Sequence, residues 1–157
     1  MKKKELKAGD PAPLFDLPTA GGGRISLASL KGQRVVVYFY PKDDTPGCTQ
    51  EALNFTEKAK AFASAKTTVI GVSRDSVAKH DKFAAKHGLS LTLASDEAGD
   101  VCRDYGVWGE KTLYGRTFMG IERSTFLIDE EGKLARIWRK VGVRGHVDDV
   151  LAAAETT

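Results

Sequence analysis

Cys48 is the residue whose surroundings best suit chemistry, because the residues before it predict the start of a helix. Thr45 is a favourable N-cap and Pro46 suits the first helical position, so Cys48 falls in the first turn. The free amides and the positive end of the helix dipole favour a thiolate there. A thiolate is the nucleophilic form of cysteine. We therefore interpret Cys48 as a reactive thiol, rather than as a small residue that packs a helix start.

The residues around Cys48 exclude several cysteine chemistries. Glu51 stands three residues after it, so there is no Cys-x-x-Cys dithiol, and Asn54 stands where the phosphate loop of thiol phosphatases has arginine. The histidines lie on predicted helices: His80, His87 and His146. His80 and His87 are seven residues apart and share a helix face, which we interpret as solvated or partly buried. Their spacing is not that of metal ligands, so we expect no metal and no organic cofactor. A cysteine hydrolase, which needs a histidine base, is disfavoured.

Alternating strands and helices must position this segment. The pattern predicts a hairpin around 21–23, a strand at 35–40, a helix with an apolar stripe from 52 to 63, a strand at 67–72, a helix at 76–88, a strand at 89–94, a short helix from 96 to 106, an irregular functional loop at 107–122, a hairpin at 124–138 and a helix at 146–154. This order predicts one α/β domain over 1–157, with helices on a central mixed, largely parallel sheet and an N-terminal hairpin extension. It resembles a thioredoxin-like three-layer fold with one insertion.

The composition is that of a globular chain: 157 residues, 41% hydrophobic and 29% charged. No run approaches the roughly 20 apolar residues of a membrane span, so we expect no membrane partner. No apolar segment follows the first residues, so we expect no signal peptide. Two cysteines are too few for a secreted disulfide framework, which favours a reducing, cytoplasmic location.

The net charge of +3 is carried by residues 1–7, which hold four lysines and one glutamate. We interpret these residues as a basic tail, because the remainder of the chain is formally neutral. A nucleic-acid-binding domain needs a basic face on its folded body. We therefore expect no nucleic-acid partner.

The segment around Cys48 resembles the peroxiredoxins. The pattern Pro41-x-x-x-Thr45-x-x-Cys48 matches their Pro-x-x-x-Thr-x-x-Cys signature, and residues 40–51 are similar to the Q-type branch, the bacterioferritin-comigratory proteins. The similarity extends along nearly the whole chain, through 9–13, 105–111 and 123–129.

This resemblance implies that the chain reduces hydrogen peroxide and organic hydroperoxides to water and alcohols. Cys48 would attack one peroxide oxygen and become a sulfenic acid. Thr45 would direct its hydroxyl toward the thiolate and the peroxide, and Pro41 would shield the pocket from water. Arg123 would make a second, charge-assisted contact, oriented by Glu51. From the residues alone, the favoured interpretation of Arg123 is an ordinary surface charge that opens a strand. A thioredoxin-fold binding or holdase module, with an incidental cysteine, is the alternative function.

The resolving cysteine is where this chain departs from the Q-type pattern. Leu53 and Ala84 occupy the two positions at which those proteins carry it. Cys102 is the remaining thiol, and it falls on the apolar stripe of a short predicted helix, as a core residue does. We expect a one-cysteine cycle in which an external thiol such as thioredoxin or glutaredoxin/glutathione reduces Cys48, with Cys102 as resolving partner the alternative. The resemblance favours a monomer, the alternative being a dimer through the loop before Cys48.

Overall fold

The structure, a computed structural model, describes residues 5–157, so the first four residues of the predicted basic tail lie outside the described residues. The strands and helices in chain order are β1 (Asp16–Pro18), β2 (Arg24–Ser26), β3 (Arg34–Phe39), α1 (Pro46–Glu57), α2 (Ala59–Ser64), β4 (Thr67–Ser73), α3 (Val77–His87), β5 (Thr92–Ser95), α4 (Asp100–Asp104), β6 (Trp108–Leu113), β7 (Arg116–Ile121), β8 (Ser124–Ile128), β9 (Leu134–Trp138) and α5 (His146–Thr156). Between residues 5 and 157, no helix is long and apolar enough to cross a membrane.

The central sheet has five strands in the order β5-β4-β3-β8-β9. β3 pairs in parallel with β4, and β4 in parallel with β5. β8 pairs antiparallel to β3, and β9 antiparallel to β8. Four of the five strands therefore point the same way, which confirms the mixed, largely parallel sheet expected from the sequence.

Strand β3 divides its side chains between the two faces of the sheet because successive residues of a strand point to opposite sides. Val35, Val37 and Phe39 join one buried cluster, whereas Val36 and Tyr38 join the other. The second cluster is covered by α1, α2, α3 and α5, which contribute Phe55, Phe62, Phe83 and Val150. The first cluster is covered by α4 and the N-terminal segment, which contribute Cys102, Leu17 and Phe15. These layers confirm the predicted thioredoxin-like arrangement.

Two local predictions differ from the structure. The continuous helix predicted through residue 63 is broken at Lys58 (φ −96°, ψ 11°), although Phe55 and Phe62 still share one cluster, so their spacing could not reveal the break. The irregular loop predicted at 107–122 is wrong, because β6 and β7 form an antiparallel hairpin there. Its turn is made by Tyr114 (φ 53°) and Gly115 (φ 75°), the positive φ angles that a two-residue hairpin turn requires. Most side chains of β7 are exposed, so the hairpin lacks the apolar alternation of a core strand.

Candidate active site

Cys48 lies where the chain passes from the central strand β3 into α1. Thr45 has extended backbone (φ −93°, ψ 154°) at the N-cap, and Pro46 begins the helix, as the sequence predicts. Cys48 is in the first turn and only 2% exposed. Its sulfur therefore lies near the positive end of the helix, within a cluster of buried side chains.

Arg123 is held against Cys48 by the pairing of β8 with β3. Phe39, near the end of β3, pairs with Ser124, so the residue before Ser124 lies beside the loop that leads to Cys48. Arg123 Nη2 donates to Cys48 Sγ at 3.3 Å. Its Nη1 donates to Glu51 Oε1 at 2.7 Å. Glu51 follows Cys48 by three residues on α1, a spacing that places both on one helix face.

The Arg123–Glu51 pair is largely buried, and burial together with the opposite charges determines the pKa values of both groups. Glu51 is 0% exposed, and its Oε2 has no hydrogen-bond partner among residues 5–157. Burial raises the pKa of Glu51 to about 7, against the opposing effect of the Arg123 charge. Burial acts to lower the pKa of Arg123, but the negative charges of Glu51 and Cys48 outweigh it and raise that pKa above its usual value. The guanidinium therefore stays cationic beside the sulfur.

Gly47 makes room for this guanidinium, a role that the sequence did not reveal. A Cβ atom at Gly47 would lie 3.1 Å from Arg123 Nη2. Glycine destabilises a helix relative to alanine, so its presence inside the first turn of α1 is a signal that something approaches the backbone.

Thr45 and Pro41 belong to the loop that precedes α1. The Thr45 hydroxyl donates to the carbonyl oxygen of Lys42 at 2.8 Å. This donation uses the hydroxyl hydrogen and leaves the oxygen lone pairs able to accept. Pro41 is half-buried at the beginning of the loop.

Cys102 lies on the opposite side of the sheet from Cys48. The two thiols belong to different buried clusters, separated by the strands themselves. Asp96 Oδ2 accepts the backbone N–H of Cys102 at 2.8 Å. Burial, together with a hydrogen bond to Asp96, raises the pKa of the Cys102 thiol far above its usual value, so this sulfur remains protonated. The structure thus brings together Cys48, Arg123 and Glu51, and holds Cys102 apart from them.

The chain is similar to known proteins over most of its length. The profile of the AhpC/TSA family matches residues 8–137. Peroxiredoxin Bcp of Xanthomonas campestris is 50% identical over 145 residues, which cover 91% of either chain. A putative peroxiredoxin bcp of Coxiella burnetii is 49% identical over 146 residues, 93% of this chain and 97% of that protein.

Solved structures of similar proteins have the same fold as this chain. A crystal structure of a Xylella fastidiosa PrxQ mutant superposes with a TM-score of 0.92 at 39% identity, covering 98% of each chain. A structure of the X. campestris bacterioferritin comigratory protein, studied for its alkyl peroxide reduction activity, has a TM-score of 0.86 at 46% identity over 90% of each chain. This chain belongs to the AhpC/TSA family, and within it to the Q-type (Bcp) peroxiredoxins.

Proposed function

We propose that Cys48 is the peroxidatic thiol with which this thiol peroxidase reduces hydrogen peroxide and organic hydroperoxides. The observation that carries the proposal is the Arg123 guanidinium, which contacts the Cys48 sulfur and is fixed on its other side by Glu51. A neighbouring cation and a helix N-terminus both favour a thiolate, which is the form of cysteine that attacks peroxides.

The first step is a displacement at oxygen. The Cys48 thiolate attacks one peroxide oxygen, the S–O bond forms and the O–O bond breaks. The leaving oxygen carries the electron pair away and takes a proton from solvent, equivalent to the one the thiol released on ionising, to become water or an alcohol. The attacked oxygen keeps its hydrogen. The sulfur is oxidised to a sulfenic acid, and the peroxide is reduced.

Arg123 and Thr45 are suited to hold the peroxide in line for this step. The guanidinium offers charge-assisted donors to the oxygens, on which negative charge develops as the O–O bond breaks. The Thr45 hydroxyl, whose hydrogen is already donated to Lys42, accepts a hydrogen bond from the hydroperoxide O–H. We assign Pro41, half-buried at the start of the same loop, to excluding water, and Glu51 to orienting Arg123.

An external thiol completes the proposed cycle. Its sulfur attacks the Cys48 sulfenic acid, releasing water and forming a mixed disulfide. A second thiol then attacks the external sulfur of that disulfide, forms a new disulfide with it and releases Cys48 as the thiol. Leu53 and Ala84 stand at the two positions of the family's resolving cysteine, and Cys102 is buried on the far face of the sheet. A Cys48–Cys102 bond requires the two Cα atoms to come within about 7 Å, so it would need the sheet or its helices to rearrange.

The partners that we propose follow from this cycle. Thioredoxin or glutaredoxin/glutathione would supply the thiols, and the alkyl peroxide activity studied for the X. campestris relative supports organic hydroperoxides as substrates. Two cysteines are too few for a secreted disulfide framework, which supports a reducing compartment such as the cytoplasm. We propose a monomer, with a dimer through the loop before Cys48 as the alternative that light scattering would detect.

A coupled assay tests the proposed function. NADPH oxidation is followed with thioredoxin reductase and thioredoxin, after addition of hydrogen peroxide or an alkyl hydroperoxide to the protein. We expect turnover by the wild type and by Cys102→Ala, and none by Cys48→Ser. Turnover by Cys48→Ser at the wild-type rate would contradict the assignment of Cys48. Loss of turnover in Cys102→Ala, with the first oxidation of Cys48 by peroxide intact, would make Cys102 the resolving partner.

A further inference from the structure

A buried polar cluster fastens the loop before α1 to the strands and helix beside it. At its centre is Asp43, two residues before Thr45 and 9% exposed. Tyr40 Oη donates to Asp43 Oδ1 at 2.6 Å, and the backbone N–H of Asp43 donates to Asp75 Oδ2 at 2.8 Å. Ser73 Oγ donates to the same Asp75 oxygen at 2.7 Å. Asp43 is therefore held through both its side chain and its backbone.

His80 closes the cluster from α3. The solvated or partly buried face predicted for it from the sequence is wrong, because His80 is 0% exposed. Its Nε2 lies 2.9 Å from the carbonyl oxygen of Ala94, which only accepts, so Nε2 carries a hydrogen. Its Nδ1 lies 2.6 Å from Asp43 Oδ2 and shares a hydrogen with that carboxylate.

The cluster is connected through Lys42 and Thr45 to the helix that carries Cys48. Lys42, the neighbour of Asp43, presents the carbonyl oxygen that orients the Thr45 hydroxyl. Thr45 in turn is the N-cap of the helix that carries Cys48. A shift of Asp43 would move that carbonyl, the hydroxyl and the helix start together.

We propose that Asp43 and His80 are positioning residues for peroxide reduction, because they fix the loop that aligns Thr45 with Cys48. This inference rests on the proposed function of Cys48. Misalignment of reacting groups by about 1 Å slows a reaction on the order of a hundredfold, so a loosened loop should slow the peroxide step markedly.

A second, exposed attachment of the same loop provides the matched control. Asp44 Oδ2 lies 2.7 Å from Lys86 Nζ, also on α3, but both side chains face solvent. Exposed ion pairs contribute little to stability. Lys86→Ala should therefore leave the peroxide reaction at the wild-type rate.

Two conservative variants of His80 separate its two hydrogen bonds. The amide nitrogen of His80→Asn lies near the place of Nδ1 and keeps the donor to Asp43. The amide nitrogen of His80→Gln lies near the place of Nε2, keeps the donor to Ala94 and loses the one to Asp43.

Two reactions of reduced Cys48 are measured for each folded variant. The rate constant for its oxidation by hydrogen peroxide is measured by stopped flow, and the rate constant for its alkylation by iodoacetamide, which needs no O–O alignment, is measured separately.

We expect His80→Gln to slow the peroxide reaction on the order of ten- to a hundredfold without slowing alkylation, and His80→Asn to keep most of the peroxide rate. A wild-type peroxide rate in His80→Gln, equal losses in both variants, or a parallel loss of alkylation overturns the proposal. If His80→Gln does not fold, Tyr40→Phe removes another donor to Asp43, and a wild-type peroxide rate there overturns the proposal instead. Slow peroxide reaction of the wild type itself would contradict the proposed function, a result distinct from all of these.

Discussion

Arg123 Nη2 lies 3.3 Å from Cys48 Sγ, while Nη1 of the same guanidinium lies 2.7 Å from Glu51 Oε1. One cation is thus shared between a fixed carboxylate and the Cys48 sulfur. Glu51 and Cys48 are on the same helix turn, so the guanidinium is aligned before any peroxide enters. Donors that are oriented beforehand need little reorganisation during the reaction, which is how such groups stabilise developing charge.

Replacing Arg123 by lysine should slow peroxide reduction even though the charge is kept. Lysine lacks the planar fork that contacts Glu51 and Cys48 at the same time. We expect kcat/KM for hydrogen peroxide to fall by about 10²- to 10³-fold in Arg123→Lys, measured in the coupled assay. Arg116→Lys, on the exposed face of β7, is the matched control. Equal activity of the two variants would rule out a role for the guanidinium.

Gly47→Ala should reduce activity without reducing stability. The added Cβ would lie 3.1 Å from Arg123 Nη2 and push the guanidinium away from Cys48. Alanine is favoured over glycine inside a helix by about 1 kcal/mol, so the free energy of unfolding should hold or rise. Urea denaturation and the peroxide rate constant together check this separation. An unchanged rate constant would show that the guanidinium has more room than the structure indicates.

The free energy of unfolding should depend on pH through the ionisation of Glu51, and Glu51→Gln should remove that dependence. Burial raises the pKa of Glu51 from 4.5 to about 7 in the folded protein. The folded state therefore binds the proton more tightly than the unfolded state, and the resulting stabilisation is complete below pH 4.5. That stabilisation is lost as the pH rises through about 7.

The measurement is urea denaturation of the wild type and of Glu51→Gln at several pH values. The free energy of unfolding of the wild type, relative to the variant, should fall between pH 4.5 and about 7 and then level off. Glutamine keeps an oxygen that accepts from Arg123, so the comparison isolates the ionisation of the carboxyl. A relative free energy that rises over this range would show that folding lowers the pKa of Glu51 instead of raising it.

Two neighbouring tyrosines should respond oppositely to loss of their hydroxyls. Tyr38 Oη is buried with no hydrogen-bond partner among the described residues, and its ring stacks on Phe55 with the centroids 4.5 Å apart. Tyr40 Oη donates to Asp43. An unsatisfied buried hydroxyl costs about 1–3 kcal/mol, so Tyr38→Phe should raise the free energy of unfolding, whereas Tyr40→Phe should lower it. Urea denaturation of both variants at one pH measures these changes. A loss of stability in Tyr38→Phe would show that the Tyr38 hydroxyl has a hydrogen-bond partner.

The start of α1 and the residues on its first turn could be predicted from the sequence, because they depend on residues that are close together in the chain. Thr45 and Pro46 mark a helix start, and the spacing of Cys48 and Glu51 places them on one face. The contact with Arg123 could not be read from the residues alone, because it depends on the antiparallel register of β3 and β8. The family resemblance supplied it instead.

The burial of His80 shows a different limit. His80 and Phe83 are three residues apart and share the apolar face of α3, which is a signal of burial that could have been used. Its partner Asp43, however, stands 37 residues earlier, and the sequence gives no indication of that pairing.

The β6–β7 hairpin could not be predicted because most of its side chains are exposed and do not alternate between apolar and polar as those of a core strand do.

Whether Cys48 is an activated thiolate is decided by the rate constant for its oxidation by hydrogen peroxide, followed by stopped flow in a single turnover of the fully reduced protein. A thiolate held between the helix start and Arg123 should react orders of magnitude faster than free cysteine at the same pH, with Cys48 recovered as the sulfenic acid by mass spectrometry. A rate constant equal to that of free cysteine would contradict a peroxidatic role for Cys48.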